Sequence, residues 1–297
     1  MVGAFCSTLL QSFVQQIIFR NQSLDAMDEE DEKEVDMIDR KVQQQLRAKY
    51  NPDGSLLRKG QLRMLDILKT VDKICRAHNI PYWLSSGTLL GAVRHGGFIP
   101  WDDDLDIEVL REDYHRLLPI LRRELPEQFM LHDRVSDKDY PHLYAKVRDK
   151  HSCIEEDFEI KLKFKGCFID IFPVERSPYP IFRIANRLYV NLCHKVFYRK
   201  ARWLFSFNYT LLTRLVFPVF RGMVSVFFPR CEYRHALGLI FRDERNEDDL
   251  FPLIEIPFED GIFFAPRNSH NCLTKKYGNY TQLPDKVVVH GNIKWVE

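Results

Sequence analysis

Between Tyr82 and Glu108 the chain reads YWLSSGTLLGAVRHGGFIPWDDDLDIE, and four aspartates, Asp102, Asp103, Asp104 and Asp106, fall within five positions of it. Carboxylates crowded this closely repel one another. A fold that holds them beside Leu105 and Ile107 needs a cation, a proton or water among them. The rest of the chain is read as scaffold, acceptor surface or lid around this stretch.

Local patterning sets the frame. Asn51-Pro52-Asp53-Gly54 is a strong turn, and Ser55 is placed to cap a helix over 56–78. Leu62, Leu65, Leu68, Val71 and Cys75 recur there at three- and four-residue spacing, with Met64, Ile67 and Ile74 widening the stripe. YWL at 82–84 reads as a short strand, and Leu89–Arg94 as a helix starting at Gly87-Thr88. After the Gly96-Gly97 bend, 104–109 reads as a strand with Asp104, Asp106 and Glu108 on one face and Leu105, Ile107 and Val109 on the core face. A helix over 111–124, strands over 142–149 and 167–172, the latter closed by Pro173, and a hairpin turning at Asp260-Gly261 follow. A polar hairpin is expected at 153–160, and Ser269 is expected to cap a short helix ending at Tyr277-Gly278. Strands and helices mix irregularly, which predicts an α+β sheet with flanking helices rather than a repeated βαβ array.

Arg176–Arg234 differs from its surroundings. It carries eleven Lys or Arg and one acid, Glu232, among bulky side chains such as Trp203, Phe205, Phe217 and Phe227. Arg214 and Pro218 weigh against a membrane span at 203–220, so helices packed on a core or lying at a membrane surface are expected. The seven cysteines are scattered without C-x-x-C spacing, which argues against a zinc knuckle, a redox motif or a disulfide framework. The first twenty residues lack a basic region before their apolar part, and a cytoplasmic setting is expected. Residues 1–55 are read as a leader and helix, and 56–297 as one domain with a helical segment at about 176–235. A net charge of +1 does not by itself indicate partners, and nucleic acid is not expected among them.

The spacing carries chemistry. Asp104 and Asp106, at i and i+2 on a strand, have Cα atoms about 7 Å apart on one face. That pair can clamp a hard divalent ion shared with substrate phosphates. Asp170, the lone charge in the run CFIDIF, is the candidate third carboxylate, because a carboxylate in an apolar strand requires a partner. Gly87 and Thr88 ahead of a helix supply N–H groups and a hydroxyl for a phosphate. Arg94, with Lys146 or Arg148, could balance the remaining charge, and His95 is read as structural or phosphate-contacting rather than a metal ligand. An EF-hand reading fails because Ile107 stands where glycine is needed. Together these features indicate metal-assisted phosphoryl transfer.

SGTLLGAVRHGGFIPWDDDLDI closely resembles the signature of the LicD family, relatives of fukutin and the fukutin-related protein. YAKVRD at 144–149, FIDIFPVE at 168–175 and FEDGIFFAP…KKYGNYTQLP at 258–284 continue the resemblance in the family's order. It implies a nucleotidyltransferase fold, similar to the core of DNA polymerase β. It also implies transfer of a phospho-alcohol, such as phosphocholine or ribitol phosphate, from a CDP-activated donor to a sugar hydroxyl of a cell-surface glycan, such as lipopolysaccharide, or a lipid-linked precursor. By the same resemblance Gly87 and Thr88 hold donor phosphates, and Asp104 and Asp106 bind Mg²⁺, with Mn²⁺ an alternative. Asp170 completes the metal site or accepts the nucleophile's proton. Nucleotidyl transfer to a small molecule, and a glycan- or lipid-binding accessory protein without catalysis, are the competing readings.

Overall fold

The computed structural model describes residues 38–155, 162–198, 201–241, 243–284, 286–287 and 294–295. The leader at 1–37, most of the polar hairpin at 153–160, and Arg199 and Lys200 lie outside the described residues.

A seven-stranded sheet holds the site. Its path runs β1 (Tyr82–Leu84), β2 (Asp106–Leu110), β6 (Phe168–Arg176), β4 (Ala145–Asp149) and β3 (Phe129–His132), with β7 (Tyr233–His235) and β8 (Glu244–Arg245) added beyond β6. β2 and β6 are parallel and the other pairings antiparallel, so the expected mixed α+β sheet is present. Outside it, β5 (Ile154–Glu155) pairs β11 (Lys294–Trp295), and β9 (Ile254–Phe258) forms a hairpin with β10 (Gly261–Ala265).

Helices α1 (Arg40–Tyr50), α2 (Leu56–Ala77), α3 (Ser86–His95) and α4 (Arg111–Glu124) accompany the sheet. Ser55 caps α2 by accepting from Arg58 N. The stripe of α2 centres on Met64, Leu68, Val71 and Cys75, all buried against Ile107, Leu117, Val147 and Ile169 in the main core. Each fully buried Leu, Ile or Val there contributes about 1.5–3 kcal/mol. Leu62 is a correction: it falls outside that arc and is 48% exposed. Helix α1 joins the same core through Leu46 and Tyr50, whose ring meets Trp101 edge-on at 5.3 Å.

Three expected strand boundaries move, the first being β4, which begins at Ala145 rather than at His142. Asp104 precedes β2, which begins at Asp106, and is exposed. β6 does not stop at Pro173 but runs through it to Arg176. On one side β6 pairs β4 only as far as Ile171, and β7 takes over at Val174. Pro173 therefore stands at the exchange of neighbours, where the missing N–H breaks no ladder bond on that side.

Beyond β6, α5 (Tyr179–Tyr189) passes through a wide turn into α6 (Lys195–Tyr198). A second helix, α7 (Arg202–Leu211) and α8 (Phe217–Phe227) joined by a wide turn at Leu212–Val216, packs on it around Tyr189, Cys193, Phe205, Phe217 and Leu237. Downstream lie α9 (Glu247–Leu250) and α10 (Ser269–Tyr277). Asn268, not Ser269, caps α10 by accepting from Asn271 N.

Candidate active site

Three strands bring three side chains into one row. The Cα partner of Asp170 is Asp106 on β2 and Lys146 on β4, so a carboxylate, a carboxylate and an ammonium stand side by side. Lys146 Nζ donates to Asp170 Oδ1 at 2.7 Å and lies 3.4 Å from the Phe168 ring centroid. Burial pushes the Asp170 carboxyl up to about 6, against the pull of Lys146 and with a further push from Asp104. Asp106 is raised well above the usual carboxylate range by burial, then by Asp104, Asp170 and Asp102.

The loop before β2 adds Asp102. Its side chain is hydrogen-bonded to Asp104, and burial with its aspartate neighbours raises its pKa strongly. A Cβ on Gly87 would lie 2.7 Å from Asp102 Oδ2 and 3.9 Å from Asp104 Oδ1, so a bare Cα lets the acidic loop reach the start of α3. Gln61 fixes the loop from below: its amide donates to the carbonyls of Asp102 at 2.9 Å and Ile99 at 3.2 Å. Strand parity puts Asp102 in step with Asp104 and Asp106, but it reaches the row from the turn, since the strand starts only at Asp106.

The start of α3 is tied to the same row. The buried Thr88 hydroxyl accepts from Asp106 N at 2.8 Å, so it joins turn to strand. Ser86 has φ 51°, a left-handed conformation uncommon for a residue with a side chain and often held at functional positions. Its hydroxyl accepts from Lys276 Nζ of α10 at 2.8 Å, and the same ammonium pairs with Asp243 at 2.6 Å. Lys276 also pulls the Asp106 pKa down. Lys276 and Asp243 carry no local signal in the sequence beyond the KKYG run.

The other expected site residues are built into the framework. Arg94 donates to the carbonyls of Tyr280 at 2.8 Å and Gln282 at 3.2 Å, and its Nε donates to His95 Nε2 at 3.0 Å. With Nε2 accepting, His95 Nδ1–H donates to Gln43 Oε1 at 2.6 Å, and burial beside Arg94 pushes the imidazole down to about 3. Arg148 is fully buried, donating to His132 Nδ1 at 2.9 Å and Gly166 O at 2.8 Å. The structure thus brings together Gly87, Thr88, Asp104, Asp106, Asp170 and Lys146. It directs the guanidinium groups of Arg94 and Arg148 to backbone carbonyls and histidine rings.

Glu108, on the same strand face as Asp106, is fully buried in a second polar cluster. It accepts from Trp83 Nε1 at 2.8 Å and Ser85 Oγ at 2.6 Å, stands 3.1 Å from His235 Nε2, and pairs with Arg245. Burial opposes its charge, but Arg245, His235 and Ser85 more than offset this and depress its pKa.

Two cavities of unlike chemistry lie near the row, and the second is lined by its carboxylates. One of about 650 Å³ is lined by Ser85 and Ser86, by Arg234, Arg245, Lys275 and Lys276, and by the acids Glu108, Asp243 and Glu244. The second, about 390 Å³, is lined by Asp104, Asp170 and Lys146 on one side and by Tyr144, Phe168 and Phe241 on another. Among the described residues no three His, Cys, Asp or Glu side chains form a ready-made metal cage. A hard ion such as Mg²⁺ needs only one or two carboxylates besides water and substrate oxygens, a demand that Asp104 and Asp106 can meet. The mutual repulsion that raises Asp102 and Asp106 is what such an ion would relieve.

Residues 79–224 match the family described as LicD/FKTN/FKRP, nucleotidyltransferase domain, and the match runs through most of the basic-aromatic segment. The chain is 29% identical to the lipopolysaccharide cholinephosphotransferase LicD of Haemophilus influenzae over 255 residues, covering 77% of this chain and 92% of that protein. It is 50% identical over 40 residues to the human ribitol 5-phosphate transferase FKRP, 14% of this chain and 8% of that protein. It is 37% identical over 62 residues to the mouse ribitol-5-phosphate transferase FKTN, 21% of this chain and 13% of that protein.

Proposed function

The chain carries a LicD/FKTN/FKRP-family domain and is a LicD-type transferase, and from that premise we propose that it moves a phospho-alcohol onto a glycan. The donor in this reading is a CDP-activated alcohol, phosphocholine- or ribitol-phosphate-like. The acceptor is a sugar hydroxyl of a cell-surface glycan or its lipid-linked precursor. The scaffold is a nucleotidyltransferase fold working in the cytoplasm.

The observation that carries the reading is a carboxylate row that lines the aromatic cavity, with the polar cavity alongside it at the start of α3, where Lys276 meets Ser86. Asp104 and Asp170 line the aromatic cavity, and Asp106 feels Lys276 of the polar one. The polar cavity, where Lys276 meets Ser86 at the start of α3, suits the donor pyrophosphate if Lys276 exchanges Asp243 for phosphate oxygens. The aromatic cavity suits a sugar face, with its hydroxyl directed at Asp170.

Mg²⁺ held by Asp104 and Asp106, with Asp170 as a third ligand in the fuller version, would supply neutralisation of charge on the donor phosphates. The backbone N–H groups at Gly87 and Thr88 orient those phosphates, and the Lys276 ammonium balances them at the edge of the polar cavity. Lys146 holds the Asp170 carboxylate in line at 2.7 Å. In the alternative role, with Asp170 outside the metal shell and its pKa raised to about 6, it is a stronger base than a surface aspartate and is suited to take the acceptor proton. The acceptor oxygen then bonds to the phosphorus that carries the alcohol, and the bond from that phosphorus to CMP breaks. CMP departs with the electron pair.

The test is Asp104→Asn with Asp106→Asn in the full chain, followed by CMP release from a panel of CDP-alcohols. Transfer should collapse while the folded state survives, and retained activity removes the carboxylates from the reaction. The family description also admits nucleotidyl transfer. Product mass decides, since a gain of phospho-alcohol supports the proposal and a gain of nucleoside monophosphate replaces it.

A further inference from the structure

The helix Arg202–Phe227 is 26 residues long and apolar enough to cross a membrane by composition. Its inner face, Phe205, Asn208, Leu212, Phe217 and Val224, is buried. Its outer face is apolar as well. Trp203 is 76% exposed, Val226 70% and Phe227 69%, with Phe207, Leu215 and Val219 also open to solvent between them. The wide turn at Leu212–Val216 explains how one helix keeps two continuous stripes. The inner stripe steps by three and four residues to Leu212 and then by five to Phe217, so the added residue keeps the second half facing inward. A core helix of a water-facing protein has no use for the outer stripe.

The charge on this helix and on its neighbours in the chain selects what covers it. Arg214 is exposed on the helix itself, Arg230 follows its end, and Arg183, Arg187 and Lys195 are exposed on the preceding helices α5 and α6. Arg187, Arg214 and Arg230 have no carboxylate within ion-pair distance among the described residues. Arg202 at the head of the helix is paired with Asp139 at 2.9 Å, and the pair is itself exposed. A second copy of this chain would bring the same unpaired cations face to face, which disfavours self-association. A bilayer crossing would strip the inner stripe from Leu237, Cys193 and Tyr189, and would carry Arg214 to mid-membrane. An anionic lipid surface meets both demands at once, with acyl chains for the aromatic stripe and headgroup phosphates for the arginines.

We propose that Arg202–Phe227 is a membrane-docking helix that lies along the surface of an anionic bilayer, with Trp203, Phe207, Val226 and Phe227 sunk to the acyl boundary. The docking does not depend on the transfer reaction proposed above, so its test needs no substrate. The tyrosines and histidine of the preceding segment, Tyr189, His194 and Tyr198, line the aromatic cavity beside Asp104 and Asp170. Docking would thus set that cavity close to the membrane.

The full chain is sedimented with vesicles of phosphatidylcholine alone and of equal parts phosphatidylcholine and phosphatidylglycerol, at low and high salt. The expected result is partition onto the anionic vesicles, weakened by salt and much lower on phosphatidylcholine alone. Trp203→Ser, Phe207→Ser and Phe227→Ser together replace exposed side chains, so melting should be unchanged while partition falls on the order of tenfold or more. Arg187→Glu with Arg214→Glu should abolish the preference for anionic lipid. The proposal is overturned if the chain stays in the supernatant with both vesicles, or if the triple variant partitions like the parent. It is also overturned if the parent self-associates without lipid and the triple variant does not, which would assign the stripe to a second copy.

Discussion

Glu108→Gln tests whether the cluster behind the start of α3 is an ionised, load-sharing core. Glu108 is fully buried and Arg245 is 7% exposed at the wall of the polar cavity, so water replaces the lost charge only in part. Glutamine keeps the shape but not the acceptors. Trp83 Nε1 donates to one oxygen, and Ser85 and Arg245 donate to the other. Either orientation of the amide therefore turns its NH₂ towards a donor. Breaking a buried ion pair by removing one partner costs about 3–5 kcal/mol, a large share of the roughly 5–15 kcal/mol that holds a typical domain together. Urea unfolding of the full chain should show this loss. Removing both partners, Glu108→Gln with Arg245→Met, should cost clearly less than the two single losses added, because no charge is then stranded. The pH dependence fixes the sign. The folded pKa of Glu108 lies below its unfolded value of 4.5, so the stabilisation is complete above that value and fades as pH falls through and below it. The parent should lose stability on acidification more steeply than the variant. A loss under about 1 kcal/mol, or strict additivity of the pair, would refute the ionised cluster.

Three further outcomes follow from the same geometry. In the metal-free protein the Asp170 carboxyl should titrate near 6 by carbon NMR, and Lys146→Met should raise that midpoint by about 1–3 units; an unmoved midpoint removes Lys146 as its partner. Because this folded pKa is above the unfolded 3.8, Asp170's contribution is present below 3.8 and is lost as pH rises through about 6, more completely in the variant. Gly91→Ala would set a Cβ 2.4 Å from Gly97 O and 3.2 Å from Ile99 N, both backbone. A stability loss of about 1–3 kcal/mol is expected, and an unchanged melting point would contradict the close approach. Arg94→Gln should destabilise by about 1–3 kcal/mol through the carbonyls of Tyr280 and Gln282 while leaving the donor KM of the folded protein unchanged. A raised KM with unaltered stability would return Arg94 to the substrate.

Local pattern was enough to read α2, β2 from Asp106 on, β10 and the acidic stretch itself, because each is set by the side-chain period or by a turn residue next to it in the chain. Strand β9 was not read, and the hairpin turns at Glu259-Asp260 rather than at Asp260-Gly261. What the period cannot carry is where a side chain finds its partner. Glu108 and Asp106 share one strand parity, yet Asp106 stands among like charges and Glu108 is neutralised by Arg245, some 137 positions along the chain. Arg94 and Lys276 show the same limit from the basic side. Arg94 is the ninth residue of α3 and looks placed for a phosphate, but the carbonyls of Tyr280 and Gln282 claim it. Lys276 sits in an unremarkable helix and reaches Ser86 at the entrance to α3.

The consequence concerns how the acidic row tolerates its own charge. Of the cations near it, Lys146 arrives from the adjacent strand and Lys276 from a helix packed across the start of α3, while the arginines of the motif itself are spent on the framework. Two lysines, compact and flexible charges rather than rigid forks, one of them shared with Asp243, face four carboxylates, Asp102, Asp104, Asp106 and Asp170, with Arg148 adding to the pull on Asp170. The row is therefore left acidic by construction, with burial raising Asp102, Asp106 and Asp170 together. A site tuned only for stability would have replaced one aspartate by asparagine. Keeping all four at a cost in folding free energy is intelligible if a divalent cation, arriving with the donor phosphates, completes the neutralisation that the protein's own lysines leave unfinished.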